Sequence, residues 1–260
     1  MTLESVMERL DPFEHLDRAL RAADGLARAW DIARLCQCED PRLIRRVLAL
    51  SGSGGPGERR VAAIVLGATA HEVLADERES ALRAALATES EDEVVATIVE
   101  ALGHRGAWAM LTPITRMGDH PASVVREAVV RALEAYRRHF ASAEAVLLSM
   151  AADEDFDVRN AATFALGQQL SDAHLIAVVL RERLDDDEPL IRAEAVRGLA
   201  WVGDRKAVAP ALMLVEDGQS AELESALHLL VQATEDPRLI QRLSGDEADP
   251  PGAASGGARS

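Results

Sequence analysis

The residues of this chain best suited to chemistry are two cysteines, seven histidines and several runs of carboxylates. Cys36 and Cys38 stand two places apart, a spacing that would suit half of a metal site. Zinc needs converging Cys, His or carboxylate ligands, and Cys36-Gln37-Cys38 has no second pair. Thiols this close on one helix do not meet disulfide geometry either, so they read as structural. The histidines, His15, His71, His104, His120, His139, His174 and His228, are scattered. Most fall near helix ends, where a partial positive charge suits the C-terminal dipole. The carboxylates cluster at Glu89–Glu93, Asp153–Asp155 and Asp185–Glu188. They could form a calcium loop or a docking strip for a basic partner. None has the spacing of a calcium-binding helix-loop-helix, and solvated turns are the plainer reading. There is no His-Glu-x-x-His and no Gly-x-Ser-x-Gly. No Gly-x-Gly-x-x-Gly follows a strand. The run Ser51–Gly57, SGSGGPG, lacks the Lys-Ser/Thr of a phosphate loop and is expected to be a flexible inter-helix loop. The expectation is a chain with no catalytic constellation, no cofactor and no metal.

The elements that would position any site are helical. Hydrophobic residues make up 48% of the 260 and aromatics only 3%, so the core must be Ala, Leu and Val. Small side chains let helices approach closely. The β-branched runs are short and lie inside helix-period patterns, which argues against a sheet. The formal charge is −16, and Lys206 is the only lysine among the 28 basic residues. An acidic surface disfavours nucleic acid and anionic membranes. No apolar run reaches membrane-spanning length and Met1–Phe13 does not resemble a signal peptide, so the expected location is the cytoplasm.

The main signal is an internal repeat. Val125 begins VREAVVRAL, Val158 begins VRNAATFALG and Ile191 begins IRAEAVRGLA, with starts 33 residues apart. The frame extends to Ala27, Glu58, Val94 and Glu222, and each segment carries a leucine eight places on. These are Leu35, Leu66, Leu102, Leu133, Leu166, Leu199 and Leu230, spaced 31 to 36 residues apart. A second helix precedes each, for example Ala107–Met117, Ala143–Ala152, Ala173–Leu184 and Ala207–Val215, and acidic turns separate them. Asp172 and Asp204 are placed to cap the helices that follow.

This pattern resembles the HEAT-repeat family in its short bacterial form, and is similar to the repeats of phycobilin-lyase-type proteins, over about residues 13–243. The resemblance implies an all-α, armadillo-like α-solenoid of about seven helix pairs. Residues 1–12 would be an N-terminal cap and 244–260 a disordered tail, rich in Gly, Pro and Ala with little to bury. It also implies a polar ladder, an Asp in the turn and an Arg early in the second helix, bridging the turns of neighbouring repeats. Asp153 with Arg159, Asp186 with Arg192 and Asp119 with Arg126 fit it. Val95 occupies the Arg place in its unit, so the ladder should break there. Pro113 and Pro210 match the proline of the family's first helix.

Second-helix positions two, six and ten lie on one ridge. That ridge places Glu100, Glu127, Arg131, Phe164, Arg197, Trp201 and His228 on an expected continuous concave surface. Phe164 and Trp201 would be its anchors, with Arg131 and Arg197 free to take a partner's carboxylates. The functional expectation is a non-catalytic module, an adaptor, scaffold or regulatory subunit. Its partner would be another protein or peptide, a basic one suiting the acidic turns. The alternatives are an enzyme or enzyme subunit of the bilin-lyase-like kind, and an acidic inhibitor of a basic partner.

Overall fold

The structure, a computed structural model, describes residues 11–22, 25–106, 108–134, 136, 141–168, 173–218 and 220–246. Among them are fifteen α-helices. Seven second helices, as the repeat frame defines them, are α2 (Gly25–Cys36), α4 (Pro56–Ala68), α6 (Asp92–Arg105), α8 (Ser123–Glu134), α10 (Phe156–Gly167), α12 (Pro189–Trp201) and α14 (Ser220–Thr234). The first helices alternate with them: α1 (Pro12–Arg21), α3 (Pro41–Ser53), α5 (Ala75–Thr88), α7 (Leu111–Arg116), α9 (Ala141–Met150), α11 (Ala173–Arg183) and α13 (Val208–Glu216). A final α15 (Pro237–Asp246) begins an unpaired unit. No strand occurs among the described residues. The fold is the expected α-solenoid of helix pairs.

The chain divides into two units, Met1–Ala161 and Ala162–Ser260, the division falling inside α10. In the first unit second helices stack on second helices, α2 on α4, α4 on α6 and α6 on α8. First helices stack in a parallel layer, α3 on α5 and α7 on α9. The second unit repeats the scheme, with α12 against α14 and α11 and α13 packed on α12. All seven repeat leucines, from Leu35 to Leu230, have no exposed surface. One pair cannot bury this side alone, and its neighbour completes the burial.

Small residues set the distance between stacked second helices. A Cβ built on Gly103 of α6 would lie 2.5 Å from the Ala132 Cα of α8. One on Gly198 of α12 would lie 2.7 Å from the Gly167 Cα of α10. The ALG and GLA sequences of the repeat are therefore close-contact points between backbones.

The turns are held by arginines. Nη1 of Arg126 donates to the carbonyls of His120 and Pro121 in its own turn. Its other edge makes a two-pronged bond to Asp153 in the next turn, Nε to Oδ2 at 2.8 Å and Nη2 to Oδ1 at 2.7 Å. Arg159 and Arg192 hold their own turns the same way, donating to the carbonyls of Asp153 and Asp186 at 2.7 and 2.8 Å. The carboxylate six residues back is thus not the partner of the same unit's arginine; its carbonyl is. Arg59 carries the same role further upstream, donating from Nη1 to Gly54 O and pairing through its Nε–Nη2 edge with both oxygens of Glu89 at 2.7 and 2.9 Å. Val95 is buried, and among the described residues no ion pair reaches Asp119. In the first pair, buried His15 Nδ1 meets Asp31 Oδ1 at 2.7 Å, and Arg18 Nε donates to Asp31 Oδ2, joining α1 to α2.

Two expectations need adjustment. The run Ser51–Gly57 is mostly helix: α3 continues to Ser53 and α4 starts at Pro56, leaving Gly54 and Gly55 between them. The Ser51 and Ser53 hydroxyls donate to carbonyls one turn back, and Gly55 N donates to Glu58 Oε2, so both helix ends have partners. Pro56 sits at a first-turn position, where its missing N–H costs nothing. The boundary drawn at residue 243 falls inside α15, which runs to Asp246; residues 247–260, like the cap residues 1–10 and Asp172, lie outside the described residues. Pro113 and Pro210 are each the third residue of a helix, where proline is tolerated, and Asp204 caps its turn by accepting from Lys206 N.

Candidate partner-binding face

In the first unit, Glu100, Glu127 and Arg131 come together on α6 and α8. Arg131 Nη1 donates to Glu100 Oε1 at 3.0 Å, and its Nη2 donates to Glu127. Burial works against the arginine's charge, but Glu127 and Glu100 outweigh it and raise its pKa. A depression of about 420 Å³ opens here, lined by Glu100, Gly103, His104, Arg131 and Glu134. One helix pair upstream, Arg60 lies 3.5 Å from Glu93.

In the second unit, α10, α12 and α14 present Phe164, Arg197, Trp201 and His228. Trp201 is 60% exposed, Phe164 44%, and His228 is exposed. Arg197 is half-buried and donates from Nε and Nη2 to Glu194 one turn back. Arg131 and Arg197 are thus already ion-paired within the chain, and a partner's carboxylates would share or displace these glutamates. Arg131 is paired with Glu100 and Glu127 of the same ridge, whereas Glu194, which takes Arg197, lies three residues back and off the every-fourth-residue count. Of the other ridge positions, Ala96 and Ala193 are buried because they lie where second helices touch.

The reading also missed where the apolar surface is. Every large hydrophobic side chain exposed among the described residues belongs to Ala162–Ser260: Leu175, Val178, Leu190, Val202, Met213 and Ile240 join Phe164 and Trp201. Leu175 and Val178 lie on α11 and Met213 on α13, first helices that the ridge count left out. Their i, i+3 spacing was the available signal.

Cys36 and Cys38 are free and half-buried, and burial pushes the Cys36 thiol up. Among the described residues no group of three or more His, Cys, Asp or Glu is placed to hold a metal ion, and no helix is long and apolar enough to cross a membrane.

The family model for HEAT repeats matches residues 79–167 and 144–231, together more than half of the chain. Among solved structures, YibA of E. coli is similar at 18% identity and a TM-score of 0.66, covering 96% of this chain and 98% of that one. An engineered protein is similar at 16% identity and a TM-score of 0.55, covering 92% of this chain and 72% of that one. At such identities the likeness concerns the fold alone. No curated protein matches the sequence.

Proposed function

We propose that this chain, which belongs to the HEAT-repeat family, is a non-catalytic protein-binding module that seats a partner segment on the second-helix face of residues 162–246. HEAT repeats generally mediate protein–protein interaction. The single observation that carries the placement is the exposure of Trp201 and Phe164 on that face, in a chain whose repeat leucines are fully buried. Trp in particular is enriched among residues that dominate binding energy. A partner anchored by one apolar side chain near Trp201 and carrying basic residues suits the −16 charge, Glu224 and the acidic turns. Membership of the HEAT-repeat family supports the same class, with the fold as its warrant.

The test begins with capture by the intact chain and identification of the partner by mass spectrometry. Affinity is then measured with purified partner. Trp201→Ala and Phe164→Ala should each weaken binding at least tenfold, about 1.4 kcal/mol or more, with helix content unchanged by circular dichroism. Raising salt should weaken binding further if the partner is basic. A well-folded Trp201→Ala protein that binds at full strength removes this face from consideration, and salt-independent affinity removes the basic partner.

A further inference from the structure

Two arginines are buried among the described residues, Arg78 at 1% exposed and Arg126 at 8%. Arg126 has Asp153. Arg78 has only backbone oxygens: it donates to Thr69 O at 3.0 Å and His71 O at 2.6 Å, and its buried Nε has no partner. Beside it, Arg105 at the end of α6 donates one Nη to Ala75 O at 3.1 Å, and its Nε too is buried without a partner. No carboxylate among the described residues forms an ion pair with either. Burial depresses the Arg78 pKa, and the Arg105 charge depresses it further, against the smaller opposing effect of Glu72. Two guanidinium groups beside one cavity, neither ion-paired with a carboxylate among the described residues, are costly, because buried charge is tolerated when paired. Carbonyl dipoles at the end of α4 offset part of the cost, and unused N–H donors remain on both side chains.

These groups meet at a cavity of about 400 Å³ lined by Thr69, Ala70, Glu72, Arg78, His104 and Arg105, among others. We propose that this cavity is a binding site for an oxyanion, a phosphate or carboxylate group of a ligand. Arg78 forms its floor and supplies charge. Arg105 on the wall and exposed His104 at the rim make the contacts, by the parallel N–H geometry that guanidinium groups offer to either oxyanion. Among the described residues Glu72 is the one carboxylate lining the cavity, and with the −16 net charge it keeps the affinity modest. The site lies wholly in the first unit and stands independently of the Trp201 face.

The test uses the full chain and thermal melts in inorganic phosphate, acetate and chloride at matched ionic strength. Phosphate, acetate or both should raise Tm by several degrees over chloride, saturably; a response to acetate assigns a carboxylate, and a response to phosphate alone assigns a phosphate. Phosphate also stabilises proteins by general exclusion from their surfaces, so the variants carry the decision. Arg105→Gln, which keeps a donor for Ala75, should cut the affinity at least tenfold, and His104→Gln severalfold should the first variant not fold. Arg46→Gln, at an exposed arginine of the same unit that pairs with Asp17 and lies outside the cavity lining, should leave it unchanged. The site is refuted if neither anion exceeds chloride, if whichever of Arg105→Gln and His104→Gln folds binds as wild type, or if Arg46→Gln loses binding as fully as Arg105→Gln.

Discussion

Replacing Gly103 with alanine sets two effects of opposite sign against each other. Within a helix, Gly→Ala stabilises by up to about 1 kcal/mol through the unfolded chain's lost freedom. At Gly103 the added methyl would meet Ala132 at 2.5 Å from its Cα, 2.7 Å from its Cβ and 3.2 Å from its carbonyl oxygen. None of these atoms is the end of a flexible side chain, so the contact can be relieved only by moving α6 and α8 apart. Overpacking of this kind costs about 1–3 kcal/mol, and with backbone on the receiving side the upper end applies. The expected net is a loss of about 2 kcal/mol, or a Tm lower by about 4–8 °C for a chain of this size. Gly52, near the end of α3, has nothing within 4 Å of its built Cβ, so Gly52→Ala should be neutral or stabilising by about 0.5 kcal/mol. Urea and thermal unfolding of both variants, followed by far-UV circular dichroism, give the comparison. If Gly103→Ala is as stable as the wild type, helix spacing is not set by these small residues and the reasoning fails.

Arg126→Ala should destabilise by about 3 kcal/mol, because it strands nearly buried Asp153 and releases two turn carbonyls; denaturant melts at neutral pH will show it. Arg159→Ala and Arg192→Ala should each lose about 1–3 kcal/mol while leaving any partner affinity of the folded fraction intact, and stable variants that lose a partner would reverse that assignment. Arg59 hydrogen bonds pull the Glu89 carboxyl from 4.5 down to about 2. A depressed carboxyl contributes stability that is full above pH about 4.5 and lost as pH falls toward about 2. Glu89→Gln should therefore remove about 1–3 kcal/mol at pH 7 and little at pH 2.5, as read from urea midpoints across that range.

The repeat was readable because burial is periodic. A leucine every 31 to 36 residues and a helical apolar spacing between them left few other architectures, and each of those leucines is buried. The polar ladder was half readable. Arg59 occupies the same frame position as Arg126, Arg159 and Arg192, but its turn has glycines where the others have Asp, and its partner Glu89 lies thirty residues downstream. Spacing counted within a unit cannot show a bond made to the next one. Ridge counting placed Trp201 and Phe164 at positions that prove exposed and set Glu100, Glu127 and Arg131 on one face, where they pair, yet gave no sign that Glu194 takes Arg197. Arg78 carried no signal at all, since a buried arginine in an arginine-rich chain looks like any other.

The exposed apolar side chains beyond residue 162 also bear on how the protein behaves as a colloid. With a net charge of −16, copies repel one another at neutral pH and low salt, and that repulsion holds Trp201, Met213 and Leu175 of different molecules apart. The screening length shrinks from about 10 Å at 0.1 M salt to about 3 Å at 1 M, and the charge itself vanishes near the pI of about 4.9. Under either condition short-range attraction between these patches takes over. The acidity spread along the whole chain thus opposes the self-association that the apolar side chains exposed beyond residue 162 favour.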